Sequence, residues 1–172
     1  MEQPIAPIRT PEIDVAELLY PTEETAAEMS LLMQHLTSQE KAQVDLDRLV
    51  DTALNPSATQ LIARMAMHHE IEGQATPRLG FQIVGAATVS TLHGAIGEKA
   101  WLEDFVVAPE ARQFSVAQML WDTMSAWRLK RGLLEMRFSS SPQKERAHGF
   151  YKKNGCEIIA EGHTSLLVHH LG

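Results

Sequence analysis

The spacing of apolar and polar positions changes several times along the chain, and each change marks an element. Ile13, Val15, Leu18 and Leu19 predict a first strand, closed by Tyr20-Pro21. Thr22 followed by Glu23 and Glu24 is a helix start, because a capping hydroxyl and first-turn carboxylates suit the positive end of a helix. Met29, Leu32, Met33 and Leu36 then recur at helical spacing. A second helix start falls at Ser38, with Val44, Leu46, Leu49, Val50 and Leu54 supporting a helix that stops before Pro56.

Beyond Pro56 the period shortens. Leu61 to Ala66 reads as a strand, His68 to Pro77 as a polar loop, and Phe81, Ile83, Val84, Ala86, Thr88 and Val89 as a long β segment ending near His93 and Gly94. Trp101 to Val107 is another strand, stopped by Pro109. From Ser115 to Arg131, Val116, Met119, Leu120, Met124 and Trp127 form one face of an amphipathic helix. Gly132 closes that helix, and Arg128, Lys130 and Arg131 in its last turn suit the negative end. Leu133 to Phe138 is a short strand, Gln143 to Asn154 a helix ended by Gly155, and two strands fill Cys156–Ala160 and Thr164–His170. Pro4, Pro7 and Pro11 make residues 1–11 an extended lead-in. This order predicts an α/β (α+β) sheet with helices on its faces, as a single domain over residues 1–172.

Composition narrows the function classes. At 44% hydrophobic and 22% charged residues, the chain can build a full core. Its net charge of −7 leaves no cationic surplus to release counterions from a phosphate backbone, so no nucleic-acid partner is expected. The acidic balance suits a cationic small molecule better. Cys156 is the only cysteine, which excludes an internal disulfide and fits a cytoplasmic setting. No basic flank with an apolar stretch opens the chain, and no apolar run approaches the roughly 18 residues of a membrane span, so no membrane association is expected. Among the eight histidines, His68-His69 and His169-His170 are strand neighbours that point to opposite faces, and no H-E-x-x-H motif is present; no metal is expected.

The chemistry concentrates in three segments. They are Leu102-Glu103-Asp104-Phe105-Val106-Val107-Ala108-Pro109-Glu110-Ala111-Arg112, then Ser139-Ser140-Ser141-Pro142-Gln143-Lys144, then Ala147-His148-Gly149-Phe150-Tyr151-Lys152-Lys153-Asn154-Gly155-Cys156. In this order they resemble the GNAT superfamily of N-acetyltransferases, which runs strand, acidic residues, V-x-P-E-x-R, a glycine-rich turn, a long helix, a strand, and a helix ending A-x-x-F-Y-x-x-x-G. The spacing is kept from about Lys99 to Ile158, with Cys156 where an aromatic is usual. Leu-Glu-Asp-Phe-Val-Val together with Phe-Tyr-Lys-Lys is similar to the polyamine and diamine acetyltransferase branch.

The resemblance implies a GNAT fold, a central mixed twisted sheet of about six to seven strands with helices on both faces. It also implies acetyl-CoA as co-substrate, a small-molecule primary amine as acceptor, direct attack in a ternary complex, and a homodimer. The family's phosphate-binding R-x-x-G-x-G/A corresponds to Arg112-Gln113-Phe114-Ser115-Val116-Ala117, where backbone N–H groups at a helix start would cradle the pyrophosphate. Ser115 stands where glycine is expected, and Gln113 replaces a further common glycine. Phe105, Val106 and Val107 occupy the splayed strand whose backbone pairs with the pantetheine arm, and Lys144 sits near the cofactor. By the same resemblance Tyr151 is the acid that protonates the leaving thiolate, and Glu103 the carboxylate that relays the proton of the amine. Asp104, expected to alternate to the other face, is an acceptor anchor. The departures at Gln113 and Ser115 motivate an alternative, a GNAT-shaped binding or regulatory module that has lost catalysis.

Overall fold

The computed structural model describes residues 11–36, 42–69, 78–160 and 164–170. Its elements run β1 (Ile13–Glu17), α1 (Glu23–Met33), α2 (Leu46–Leu54), β2 (Ala58–His69), β3 (Arg78–Gly94), β4 (Gly97–Val107), a 3-10 helix (Pro109–Phe114), α3 (Val116–Leu129), β5 (Glu135–Ser140), α4 (Glu145–Lys153), β6 (Glu157–Ala160) and β7 (Ser165–His170). The lead-in expected at residues 1–11 lies outside the described residues, apart from Pro11.

All seven strands join one sheet in the order β1-β2-β3-β4-β5-β7-β6. Every pairing is antiparallel except β4–β5, which is parallel. The sheet is therefore mixed, within the range expected from sequence. Helices cover both faces. An added Cβ at Gly85 of β3 would stand 2.9 Å from Val116 Cγ1 and Leu120 Cδ1, so α3 lies against the backbone on that side. Thr88, of opposite parity on the same strand, faces the cleft beneath α1 and α2.

Local signals account for most boundaries. The Thr22 hydroxyl accepts the backbone N–H of Thr25 at 3.2 Å and caps α1. Gly132 and Gly155 end α3 and α4 with φ of +69° and +76°, a backbone region that strains other residues.

Some expectations need correction. The helix start placed at Ser38 lies outside the described residues, and α2 begins only at Leu46, capped by Asp45, whose carboxylate accepts Asp47 N–H at 2.9 Å. The loop expected from His68 instead continues β2 through His69. Residues 109–114, expected as a simple turn, form a 3-10 helix.

The core lies on both sides of the sheet centre, where Leu61, Ala63, Val84, Ala87, Val89, Leu120, Met124 and Met136 are completely buried. Of the three basic residues expected in the last turn of α3, Lys130 and Arg131 follow the helix end and only Arg128 lies within it. Arg128 is 0% exposed. Its guanidinium donates to the carbonyls of Leu134 and His169 at 3.2 and 3.3 Å and lies 2.5 Å from His169 Nδ1. Arg131, one turn on, stacks 3.8 Å over the ring of Trp127.

Candidate active site

A break in strand pairing creates the site. β4 and β5 are in register only from Ala100↔Met136 to Leu102↔Phe138, after which β5 continues with β7 alone. The strands diverge, and Phe105, Val106 and Val107 border a cavity of about 590 Å³. Arg112, Ser115 and Ala117 line its α3 end, and Lys144, Phe150 and Tyr151 its α4 side. A second cavity of about 640 Å³ lies on the other face of β4, between the sheet and the helices α1 and α2. Met29, Met33, Arg48, Thr88 and Asp104 line it, and Leu36 borders both cavities.

Between the two cavities β4 carries a bulge. β3 pairs Ala86 with Val106 and Thr88 with Glu103, leaving Asp104 and Phe105 together opposite Ala87. Accommodating the extra residue sends Asp104 to φ 52°, a left-handed conformation that aspartate tolerates better than most side chains. Paired residues of an antiparallel ladder share a face. Glu103 therefore faces the same side as Thr88, and the Thr88 hydroxyl lies 3.2 Å from Asp104 Oδ2. The strict alternation expected for Glu103 and Asp104 is thus broken by the bulge. Both carboxylates are exposed, but Asp104 lines the second cavity, whereas Glu103 lines neither.

Proton accounting sharpens what Asp104 needs. Buried Gln60 donates its amide N–H groups to the carbonyls of Leu61 and Ala87, at 3.3 and 3.1 Å. Its carbonyl oxygen is then the acceptor for the Thr88 hydroxyl at 2.8 Å. Thr88 has a single proton to give. With that proton on Gln60, Thr88 gives none to Asp104, whose exposed carboxylate opens to the cleft.

Tyr151 is 6% exposed at the floor of the first cavity. Its ring packs 4.6 Å from that of Phe138, 6.0 Å from Trp121 and 6.3 Å from Phe105. Burial pushes its phenol up to about 12, helped by the neighbouring Cys156. Burial also raises the Cys156 thiol to about 12, against the pull of Arg128, so it stays a thiol at neutral pH and is no nucleophile.

The turn between β4 and α3 contributes fewer side chains than expected. Ser115 adopts φ 61° and ψ 17°, the conformation glycine ordinarily supplies here. The Arg112 Nε donates to Val107 O at 3.2 Å, tying the turn to the strand end. Gln113, Phe114 and Val116 are not among the cavity's lining residues. Gln113 is exposed, Phe114 packs on the core, and Val116 is 0% exposed against Gly85. The Lys144 ammonium donates to Leu36 O at 3.1 Å, and both residues border the cavity.

The structure thus brings Phe105, Val106, Val107, Arg112, Ser115, Ala117, Lys144 and Tyr151 around one cavity, with Asp104 in the other. It adds Leu36, Arg48, Gln60 and Thr88, polar or apolar residues of ordinary spacing that carry no signal in sequence. The unpaired edge of β4 and the left-handed turn at Ser115 fit an extended thioester with a phosphate-bearing tail.

Comparison with known proteins agrees with this geometry. The acetyltransferase (GNAT) family model matches residues 70–156, just over half of the chain, and the protein belongs to that family. No curated protein sequence matches it. Among solved structures, an acetyltransferase from Streptococcus agalactiae aligns with a TM-score of 0.68 at 14% identity, covering 92% of this chain and 98% of the other. The PaiA N-acetyltransferase of Thermoplasma acidophilum, solved with coenzyme A, aligns with a TM-score of 0.65 at 17% identity, covering 93% and 99%. An aminoglycoside acetyltransferase from an uncultured soil metagenomic sample, solved with trehalose, gives 0.64 at 14% identity, covering 87% and 90%. The fold is therefore that of the GNAT acetyltransferases. Among the described residues no helix is long and apolar enough to cross a membrane.

Proposed function

We propose that the protein is an acetyl-CoA-dependent N-acetyltransferase acting on a primary amine of a small molecule, in the cytoplasm and as a homodimer of single-domain chains. The observation that carries this reading is the bulge of β4, where consecutive residues border different cavities. Phe105 borders the one suited to the thioester, and Asp104 the one from which an amine would approach.

In this mechanism the acetyl-CoA pantetheine arm lies along Phe105, Val106 and Val107, and one of their N–H groups polarises the thioester carbonyl. The phosphates lie at the Arg112–Ala117 turn. An alkylammonium has a pKa near ~10.4 and must lose a proton to attack. Asp104, rather than the outlying Glu103, holds that ammonium and relays its proton through water. The amine nitrogen bonds to the carbonyl carbon, the C–S bond breaks, and the thiolate leaves. Tyr151 donates its hydroxyl proton toward the departing sulfur. Its raised pKa makes a hydrogen bond the larger part of that contribution, because complete transfer to a thiolate whose acid lies near ~8.5 runs uphill.

Thermal denaturation with acetyl-CoA tests the reading. A ligand at 100 times its dissociation constant stabilises by ~2.7 kcal/mol. A rise in melting temperature, with amine-dependent thiol release, is the expected result. No shift at millimolar acetyl-CoA would favour the alternative, a cofactor-free binding module, which the strained Ser115 motivates.

A further inference from the structure

The second cavity carries charge of both signs, and that bears on which amines fit it. Asp104 enters it from β4 and Arg48 from α2, above an apolar floor that includes Met29, Met33 and Leu49. Among the described residues no carboxylate lies within ion-pair distance of Arg48. Its position is also locally unfavourable, since the first turn of a helix disfavours a cation. A residue that breaks a local rule and faces a cavity is a candidate for ligand contact. Asp45 lines the same cavity, but one of its oxygens already caps α2 through Asp47 N–H. The cleft thus holds two carboxylates, Asp104 and Asp45, and a guanidinium that has no ion-pair partner among the described residues.

We infer that the acceptor is an amine that itself carries a carboxylate, a free amino acid with an apolar side chain. Its ammonium meets Asp104, its carboxylate meets Arg48, and its side chain lies on the methionine and leucine floor. A diamine or polyamine would instead leave Arg48 without an anion and place its second ammonium in the cavity that Arg48 shares with Asp45. The inference rests on the reading that the first cavity holds acetyl-CoA. The reaction converts the ammonium and the thioester to an N-acetyl amino acid, a free thiol and one proton.

Thiol release from acetyl-CoA would be measured with leucine and methionine, with their carboxamides, and with putrescine and spermidine. The amino acids are expected to be the better acceptors, and neutralising the carboxylate as the amide is expected to lower kcat/KM by about ten- to a hundredfold. Arg48→Glu is expected to reverse the order, favouring amides and diamines over acids. Because Arg48 is exposed, this variant should fold, and its melting temperature checks that. Diamines or amides outrunning the acids in the wild type would overturn the inference while leaving the acetyltransferase reading intact. So would an acid preference that survives Arg48→Glu. No amine-dependent thiol release with any of these acceptors would overturn both.

Discussion

Asp104 and Phe105 are adjacent in sequence, border separate cavities and stand together opposite Ala87 at the bulge of β4. A regular strand would also alternate, but it would not force a residue to φ 52°. Backbone strain of this kind costs about 1–2 kcal/mol at a non-glycine residue and tends to collect where function needs it. Asp104 combines that strain with a carboxylate open to the second cavity.

Replacing Asp104 with asparagine separates charge from backbone, since asparagine also tolerates the left-handed region. Asp104→Asn is expected to lower kcat/KM for the amine by about 10–10²-fold, with the melting temperature and acetyl-CoA affinity nearly unchanged. Glu103→Gln, at an exposed position outside both cavities, should cost less than about threefold. Steady-state kinetics of both variants against one acceptor decides the matter. A larger loss at Glu103 would return the proton relay to the residue that the family resemblance implies.

Tyr151→Phe keeps the ring, and with it the packing against Phe138 and Trp121, but removes the hydroxyl. Turnover should fall by about 10²-fold while acetyl-CoA affinity stays close to wild type. Burial holds the phenol near 12, so it remains protonated throughout the usual assay range. The wild-type rate should therefore show no descending limb attributable to Tyr151 between about pH 8 and 10. A basic limb in that range that vanishes in the phenylalanine variant would contradict the assignment.

Much of this was legible in the sequence, and what was not has identifiable causes. Caps were readable because they act locally: Thr22 bonds three residues on, and Gly132 and Gly155 supply positive φ. Ser115 was readable as an oddity for the same reason, and it does take up the left-handed turn. The bulge was not readable, because an inserted residue shows only against the partner strand, here through the pairing of Thr88 with Glu103. The burial of Arg128 leaves no mark in the sequence either, since a basic residue in the last turn of a helix already has a local explanation. Its partners, the carbonyls of Leu134 and His169, are supplied by the following segment and by a strand at the far end of the chain. The second cavity draws Arg48, Gln60, Thr88 and Asp104 from separate elements, and no spacing rule connects them. Asp45 displaced Ser38 as the cap of α2 although both are good capping residues, a choice that local preference alone does not make.

The same turn offers a gain in stability. Ser115→Gly removes side-chain strain worth about 1–2 kcal/mol and adds back about 0.5–1 kcal/mol of backbone entropy lost on folding. A net stabilisation of about 0.5–1 kcal/mol is expected, equivalent to a rise of about 1–4 °C in melting temperature for a domain of this size. Acetyl-CoA should bind more tightly as well, through closer approach to the turn. Calorimetric titration reads this directly. Weaker binding in a stabilised variant would show that the Ser115 hydroxyl contacts the phosphates.

His169 links the buried end of α3 to pH. Its Nδ1 lies 2.5 Å from the Arg128 guanidinium, which must donate to it, so the ring is neutral in the folded protein. Burial, then Arg128, then His170 hold its pKa below the ordinary histidine value. The unfolded chain takes up a proton at His169 near pH ~6.5, while the folded chain resists it to lower pH. Below that point the unfolded state binds more protons, so stability falls as pH drops through the window below ~6.5 and is fully present above it. Melting temperatures measured from pH 7.5 down to 5 should therefore decline. In His169→Gln the amide oxygen can still accept from Arg128 but cannot be protonated in this range, and the decline should be shallower. Parallel curves for the two proteins would mean that His169 contributes nothing to the acid sensitivity, and that other histidines set it.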